Sequence, residues 1–484
     1  MSRLSPAALG SLPSSIRQPT YDRSKVTIGI VHLGIGAFHR AHQAVYTEEC
    51  LERGDLHWGI LGASLRSTDT RDALGPQEGL YTVAARSSAK TDFRVIGSVV
   101  RLMVAPDDPE ALVDAMAQES VKIVSLTVTE KGYCIDPLTG QLNETHPDIL
   151  YDLANAHRPR SAPGFIVAAL RLRRENGLAP FTVLSCDNLP ANGEKLHAII
   201  VRLASMIDPM LGAYIDEHVA FPSTMVDRIV PQTTDEDRAF VAQALGLKDA
   251  WPIITEPFTQ WVIEDNFPQG RPDWGSVGAE LVHDVAPYEA MKLRLLNGAH
   301  SMLAYLGSIK GHVTVADAMA DPDLGAFIAA FMVDDVTPTL VIPKGADVAA
   351  YRDALLERFR NTSLKHRLSQ IASDSTQKIP QRFLGTARDR LAMGLPLGRL
   401  AMGIAGFIYY AGGVDRHGRS LELKDPLASE LSNRLANAAP DAAAKVEAVL
   451  SLDKVFGSEL PHQPAFRVAV VEAYTSLAVG FDIP

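Results

Sequence analysis

Four of the polar residues in a mostly apolar stretch at residues 288–306 (YEAMKLRLLNGAHSMLAYL) are of types that suit chemistry: Glu289, Lys292, Asn297 and His300. The stretch has no Gly or Pro before Gly298 and is rich in Leu, Met and Ala, so it reads as a buried helix. At about 100° per residue, with Lys292 at zero, Glu289 falls at about 60°, His300 at about 80° and Asn297 at about 140°. All four therefore share one side. Burying an unpaired ammonium is costly, so Lys292 needs a partner or a lowered pKa. A desolvated Lys can act as a general base near neutral pH, and Asn and His can donate to a substrate oxygen. The plainer alternative is a core helix whose Lys snorkels and whose Asn and His are satisfied by neighbouring backbone.

The elements upstream can bind a dinucleotide. Residues 26–33 (VTIGIVHL) read as a buried parallel strand. The strand runs into Gly34-Ile35-Gly36-Ala37-Phe38-His39, and a helix is expected from about residue 40 to residue 53. In strand–turn–helix context, Gly34 permits the turn and Gly36 lets the backbone approach a pyrophosphate at a helix N-terminus. The third glycine of the usual fingerprint is missing, and His39 stands there, so a plain strand-to-helix turn is the alternative. A second strand is expected at 58–65. Asp69, just past it, could bind ribose hydroxyls or merely cap a helix, and Arg66 is a competing signal for a 2′-phosphate.

Further strands are expected at 80–86, 93–100, 121–128 and 181–186, with helices at 108–119 and 164–176. Residues 129–133 (TEKGY) and Asp187-Asn188 fall at the carboxyl ends of two of these strands, the edge where open α/β sheets bind ligands. Asn188 could cap the following turn or donate its amide to a substrate oxygen. Residues 256–274, aromatic and rich in Pro, read as a loop packed over something. Beyond residue 287 helical periodicity recurs at about 288–308, 323–333, 347–360, 381–393, 398–411 and 425–450. The fold expected is an α/β Rossmann-like N-terminal domain, residues 1–284, plus a mainly α-helical C-terminal domain, residues 285–484.

The 484 residues suffice for two or three domains. A net charge of −11 argues against a general nucleic-acid or anionic-membrane binder. The first 22 residues lack a secretory apolar run, and no apolar run is long enough to span a bilayer. Cys50, Cys134 and Cys186 form neither a disulfide framework nor zinc-type spacing, which fits a reducing cytoplasm. His39 and His42 lie three apart and could face a metal from one helix, but no Cys or carboxylate cluster completes that set, so no metal is expected.

Read in order, VHLGIGAFHRAH, SLTVTEKGY, SCDNLPANG, FPSTMVDRIVP, QWVIEDNF and MKLRLLNGAHS resemble the long-chain, zinc-independent polyol dehydrogenases, the mannitol 2-dehydrogenase and fructuronate reductase family. The resemblance runs from about residue 25 to about residue 480. It implies a Rossmann-like domain that carries NAD, a helical second domain, and a substrate between them. It implies Lys292 as the general base, Asn188 and Asn297 as donors to the developing alkoxide, and His300 orienting the substrate. Glu289 would link Lys292 to solvent. Lys378 and Asp227 match substrate-site positions. Gly34, Gly36 and Phe38 match the glycine turn, and Asp69 the ribose-binding acid. The chemistry is consistent: a positioned base takes the hydroxyl proton, two amides stabilise the oxyanion without a metal, and the cofactor carries the hydride.

Segment differences bear on the substrate. Lys131 in TEKGY and Gln370 upstream of Lys378 look closer to fructuronate reductases, whereas LRSTD and DAWPI look closer to mannitol dehydrogenases. The expected reaction is D-mannitol to D-fructose, with D-mannonate to D-fructuronate as the alternative. A sugar acid's carboxylate would need a cation, and Lys131, His366 and Arg367 are candidates, although His366 and Arg367 also fit a solvated helix face. A catalytically dead NAD-binding sensor is the reading from another class, and the intact set Lys292, Asn188, Asn297 and His300 speaks against it.

Overall fold

The computed structural model describes residues 1–136 and 139–480, and the chain divides into two compact units, Met1–Val285 and Ala286–Pro484. The described strands all lie in the first unit. They are β1 (Ile28–Leu33), β2 (Gly59–Ser64), β3 (Tyr81–Arg86), β4 (Thr91–Ile96), β5 (Val99–Val104), β6 (Ile123–Leu126), β7 (Thr182–Ser185), β8 (Thr224–Asp227), β9 (Ile253–Thr255), β10 (Gln260–Glu264) and β11 (Glu280–Val282). The near-continuous apolar runs of β1, β2, β6 and β7 are buried, as strands covered on both faces must be. They form a parallel sheet in the order β5-β2-β1-β6-β7. The order reverses between β1 and β6, so a crevice opens at the carboxyl ends of these two strands. Gly34 and Thr127 sit there.

Two smaller sheets complete the unit, β4-β3-β9 and β11-β10-β8. They correct two expectations. The single strand expected at 93–100 is β4 and β5 in different sheets. Both backbone groups of Gly97 between them are taken by side chains: its N–H donates to Glu48 Oε2 (2.8 Å), and its carbonyl accepts from Arg23 Nε (3.0 Å). The loop expected at 256–274 contains β10, the centre of its sheet, with Trp261, Val262 and Ile263 buried. Flanking prolines and turn residues hid a strand this short. The helix expected at 40–53 is two helices, Ala37–Ala41 and Gln43–Glu52. It breaks at His42 (φ −121°, ψ −91°), where Arg228 Nη1 donates to Ala41 O.

The secondary-structure elements described in the second unit are all helices, joined by loops. Its central helix, Gly298–Lys310, is buried along almost its whole length. Leu295, Met302, Leu303 and Leu306 are each fully enclosed; burial of such side chains is worth about 1.5–3 kcal/mol apiece relative to exposure. Packing, not propensity, therefore fixes this helix and whatever polar groups it carries. Residues 425–450 form two helices, Ala428–Asn437 and Ala442–Leu450, because Pro440 lacks the N–H a continuous helix needs. The last helix, Pro464–Gly480, buries Phe466, Val470, Tyr474 and Leu477 at helical spacing. Its exposed Val468 and Val479 blur the polar face, so the sequence pattern missed it.

Candidate active site

In unit 1 the glycine turn leaves β1 at the switch point. Gly34 has φ +88°, and a Cβ there would run into Thr127 O, so only glycine fits. The amides of Gly34 (2.8 Å) and Ile35 (3.3 Å) both donate to Ala63 O. At Gly36 an added Cβ would approach only Gly34 O, at 3.8 Å; the protein itself does not demand glycine there. A ligand approaching the backbone there would need it. A cleft of about 390 Å³ opens beside this turn, lined by Gly34, Gly36, Arg66, Ser67, Thr129 and Lys131 among others. The turn, the helix start and the cleft fit a dinucleotide. Phe38 is half-buried and stacks on His42 at 5.1 Å.

His39 fills the place of the third glycine. Its ring stacks on His32 of β1, 3.4 Å between centroids at 14°, so helix and strand pack through two imidazoles. His32 bonds to Ser125 Oγ (2.8 Å) and Thr127 Oγ1 (2.9 Å), and Thr127 Oγ1 donates to Gly34 O (2.9 Å), tying the stack to the turn. Burial pushes the His32 pKa down to about 3 and that of His39 well below the ordinary value, so both rings are neutral. His42 lies beyond the helix break with Nε2 2.8 Å from Gln260 O, so the two histidines share no helix face on which to hold a metal.

Asp69 is exposed, opens the helix Asp69–Leu74 with Thr68 as its N-cap, and does not line the cleft; Arg66 does. At the far side, Asp187 accepts from Val128 N (2.9 Å), Thr129 N (3.0 Å) and Tyr133 Oη (2.7 Å). These bonds clamp the TEKGY segment onto β7. Asp187 gave no motif-level signal beyond its place at a strand's carboxyl end. Its neighbour Asn188 is exposed, Lys131 is exposed, and Asp227 closes β8 with only 5% of its surface exposed.

In unit 2, Lys292 and Asn297 bound a π-helical turn, Lys292–Asn297, between the α-helices Ala286–Met291 and Gly298–Lys310. The Gly298 amide reaches back to Leu293 O, five residues away. The wider π turn carries Asn297 closer to the Lys292 side of the helix than 100° spacing puts it. Two other π turns, Phe331–Val336 and Pro380–Leu384, pack against this one. Gly298 lets them close: a Cβ there would come within 3.3 Å of Arg382 O. Arg382 Nη1 in turn donates to Ser301 Oγ (2.8 Å) and Asn297 O (3.4 Å).

Lys292, Asn297 and His300 are buried at 6%, 7% and 7% exposure, and Glu289, one turn earlier, is half-buried. Asn297 Nδ2 and His300 Nε2 are buried polar atoms without a hydrogen-bond partner among the described residues. Such atoms are costly unless a ligand or water completes them. The His300 ring lies 4.4 Å from Phe359 and meets His366 edge-on at 5.4 Å. Burial, reinforced by His366, Arg358 and Arg382, holds its pKa well below the ordinary value, so it is a neutral imidazole. Burial also lowers the His366 pKa to about 4. Lys378 is half-buried, with Nζ donating to Ser373 O and to Ile371 O (3.4 Å). Arg367 is exposed and its backbone bridges to Thr314.

Comparison with known proteins agrees with this anatomy. Residues 28–276 match the mannitol dehydrogenase Rossmann domain and residues 284–478 the mannitol dehydrogenase C-terminal domain. The chain is 47% identical to a D-mannonate oxidoreductase of Escherichia coli, over 96% of both chains. It is 40% identical to a mannitol 2-dehydrogenase of Pyricularia oryzae, over 96% of this chain and 93% of that one. Among solved structures, the Pseudomonas fluorescens mannitol 2-dehydrogenase, determined as a ternary complex with NAD and D-mannitol, superposes with a TM-score of 0.88 at 39% identity, covering 99% of this chain and 97% of the other. A glycine turn at the switch point of a parallel sheet and a Lys–Asn–His helix face thus occur in a chain matched along nearly its whole length, and this chain belongs to the mannitol dehydrogenase family.

Proposed function

We propose that this protein interconverts a linear sugar acid and its keto form, D-mannonate and D-fructuronate, by a Lys-based and metal-independent route. The coarser activity is that of the family: an NAD-dependent oxidoreductase acting on polyols or sugar acids. One observation carries the assignment of residues. Two buried polar atoms without hydrogen-bond partners among the described residues, Asn297 Nδ2 and His300 Nε2, lie on the same helical run as the buried Lys292. On this reading Lys292 takes the proton of the reacting hydroxyl. Asn297 and Asn188 donate their amides to the oxygen as it becomes an alkoxide. His300, held neutral, bonds a neighbouring hydroxyl without adding a charge that would raise the cost of protonating Lys292. Glu289 passes the proton on toward solvent. Lys378, Asp227 and Arg367 hold the rest of the chain of hydroxyls. NAD, bound with Gly34, Gly36 and Phe38 at its diphosphate side and Asp69 toward the ribose, accepts the hydride.

Two observations favour the sugar acid. Lys131 in TEKGY and Gln370 upstream of Lys378 look closer to fructuronate reductases, and a cation such as Lys131 suits a substrate carboxylate. The E. coli relative at 47% identity is named for D-mannonate, whereas the relatives named for mannitol stand at 40% and 39%. D-mannitol and D-fructose are the second reading, favoured by LRSTD and DAWPI in the first unit. Catalytic efficiency in the reductive direction distinguishes them. Fructuronate favoured over fructose by about tenfold or more, worth about 1.4 kcal/mol at the transition state, is the expected outcome. Equal or better use of fructose would overturn it.

A further inference from the structure

We propose that Cys134, His146 and Asp148 form a binding site for a zinc-class divalent cation on the rim of the dinucleotide cleft, and that a cation held there competes with the dinucleotide. After the short turn Glu130–Tyr133 the chain enters a left-handed residue, Cys134 (φ +54°). Asn143 N donates to Cys134 O (2.8 Å), and Ile135 bridges Leu142, so the chain doubles back and brings Cys134 beside His146. His146 is the N-cap of the helix Pro147–Ala154, with Nδ1 accepting from Asp148 N at 3.2 Å. One ligand atom from each of the three residues lies within 4.8 Å of the others.

Tetrahedral zinc with bonds of about 2.0–2.3 Å spaces its ligand atoms about 3.3–3.8 Å apart. The partly exposed side chains of His146 (30%) and Asp148 (35%) can turn to close the difference. The sulfur is the fixed point: Cys134 is 3% exposed, and its thiol makes no hydrogen bond among the described residues. A thiolate, an imidazole and a carboxylate select zinc-class ions over magnesium or calcium, and three protein ligands leave a fourth position for water. The surrounding charge is mixed, since Asp148 and Asp152 act on the thiol in one sense and Arg66 in the other. On binding, the thiol proton leaves to solvent as the metal–sulfur bond forms, and nothing is oxidised or reduced. Cys134 and Asp148 line the same cleft as Gly34 and Gly36, which is why the two ligands exclude one another. That exclusion rests on the dinucleotide reading of the cleft; cation binding itself does not.

The test uses the full-length protein, dialysed against chelator, with cadmium as the probe. Its thiolate gives an ultraviolet charge-transfer band. The other cysteines, Cys50 and Cys186, are enclosed in the core and contribute none. The band is expected to saturate at a single equivalent and to vanish in Cys134→Ser. His146→Asn keeps an N-cap side chain while removing the imidazole, and is expected to weaken cadmium by about tenfold or more. No band in the wild type, or an undiminished affinity in His146→Asn, overturns the site. NAD is expected to raise the cadmium midpoint. If NAD binds without moving that midpoint, the competition is wrong; if NAD does not bind at all, the dinucleotide reading fails instead.

Discussion

At the scale of single residues, chemistry depends on which polar atoms the fold leaves without partners. Asn297 Nδ2 and His300 Nε2 are buried without a hydrogen-bond partner among the described residues, and on the proposed reading substrate hydroxyls complete them. Charge selects the cofactor in the same local way. Asp69 would repel a 2′-phosphate and accept from free ribose hydroxyls, while Arg66 on the cleft wall works in the opposite sense. Asp69→Ala is expected to narrow the preference for NAD over NADP, read as the ratio of the two kcat/KM values. A wild type that uses NADP equally well or better would shift the determinant to Arg66.

At the scale of elements, the glycine turn was legible because Gly34 and Gly36 follow an apolar run; the structure gives Gly34 a steric reason, whereas nothing in the protein itself crowds Gly36. The face shared by Lys292, Asn297 and His300 was legible from residue types, but not the π turn between the first two, since nothing local distinguishes a π turn from α-helix in sequence. Three π turns meet at Gly298, and that arrangement depends on partners some 35 and 85 residues away. β10 and the break at His42 were likewise set by tertiary contacts. His39 shows the opposite: its departure from the fingerprint was visible, while its stack on His32 was not. His39→Ala removes a ring packed at 3.4 Å and is expected to lower unfolding free energy by about 2–4 kcal/mol in urea at pH 7.5. It should also flatten the pH dependence. Folded His39 stays neutral, so below an ordinary pKa of 6.5 only the unfolded chain takes up its proton, and stability falls with pH. That share, about 1 kcal/mol between pH 6.5 and 5.5, disappears with the ring. Glu48, raised to about 7 by burial, runs the other way in both proteins and cancels in the comparison. An unchanged slope would mean that His39 is protonated in the native state.

At the scale of the whole molecule, the chain combines a Rossmann-type unit with a helical unit that carries the buried Lys292, and no described helix is long and apolar enough to cross a membrane. On the proposed Lys-based route no Lewis acid is needed, so activity is expected to survive prolonged dialysis against a chelator; a loss restored by zinc would refute that route. The most direct measurement is turnover of Lys292→Ala in alcohol oxidation beside its NAD affinity. The variant is expected to fold, to bind NAD nearly as well as the wild type, and to oxidise substrate more slowly by about 10²–10⁴-fold or more, the usual cost of losing a general base. Retention of about a tenth or more of the wild-type turnover, less than 1.4 kcal/mol of barrier, would contradict the assignment of Lys292 as the base.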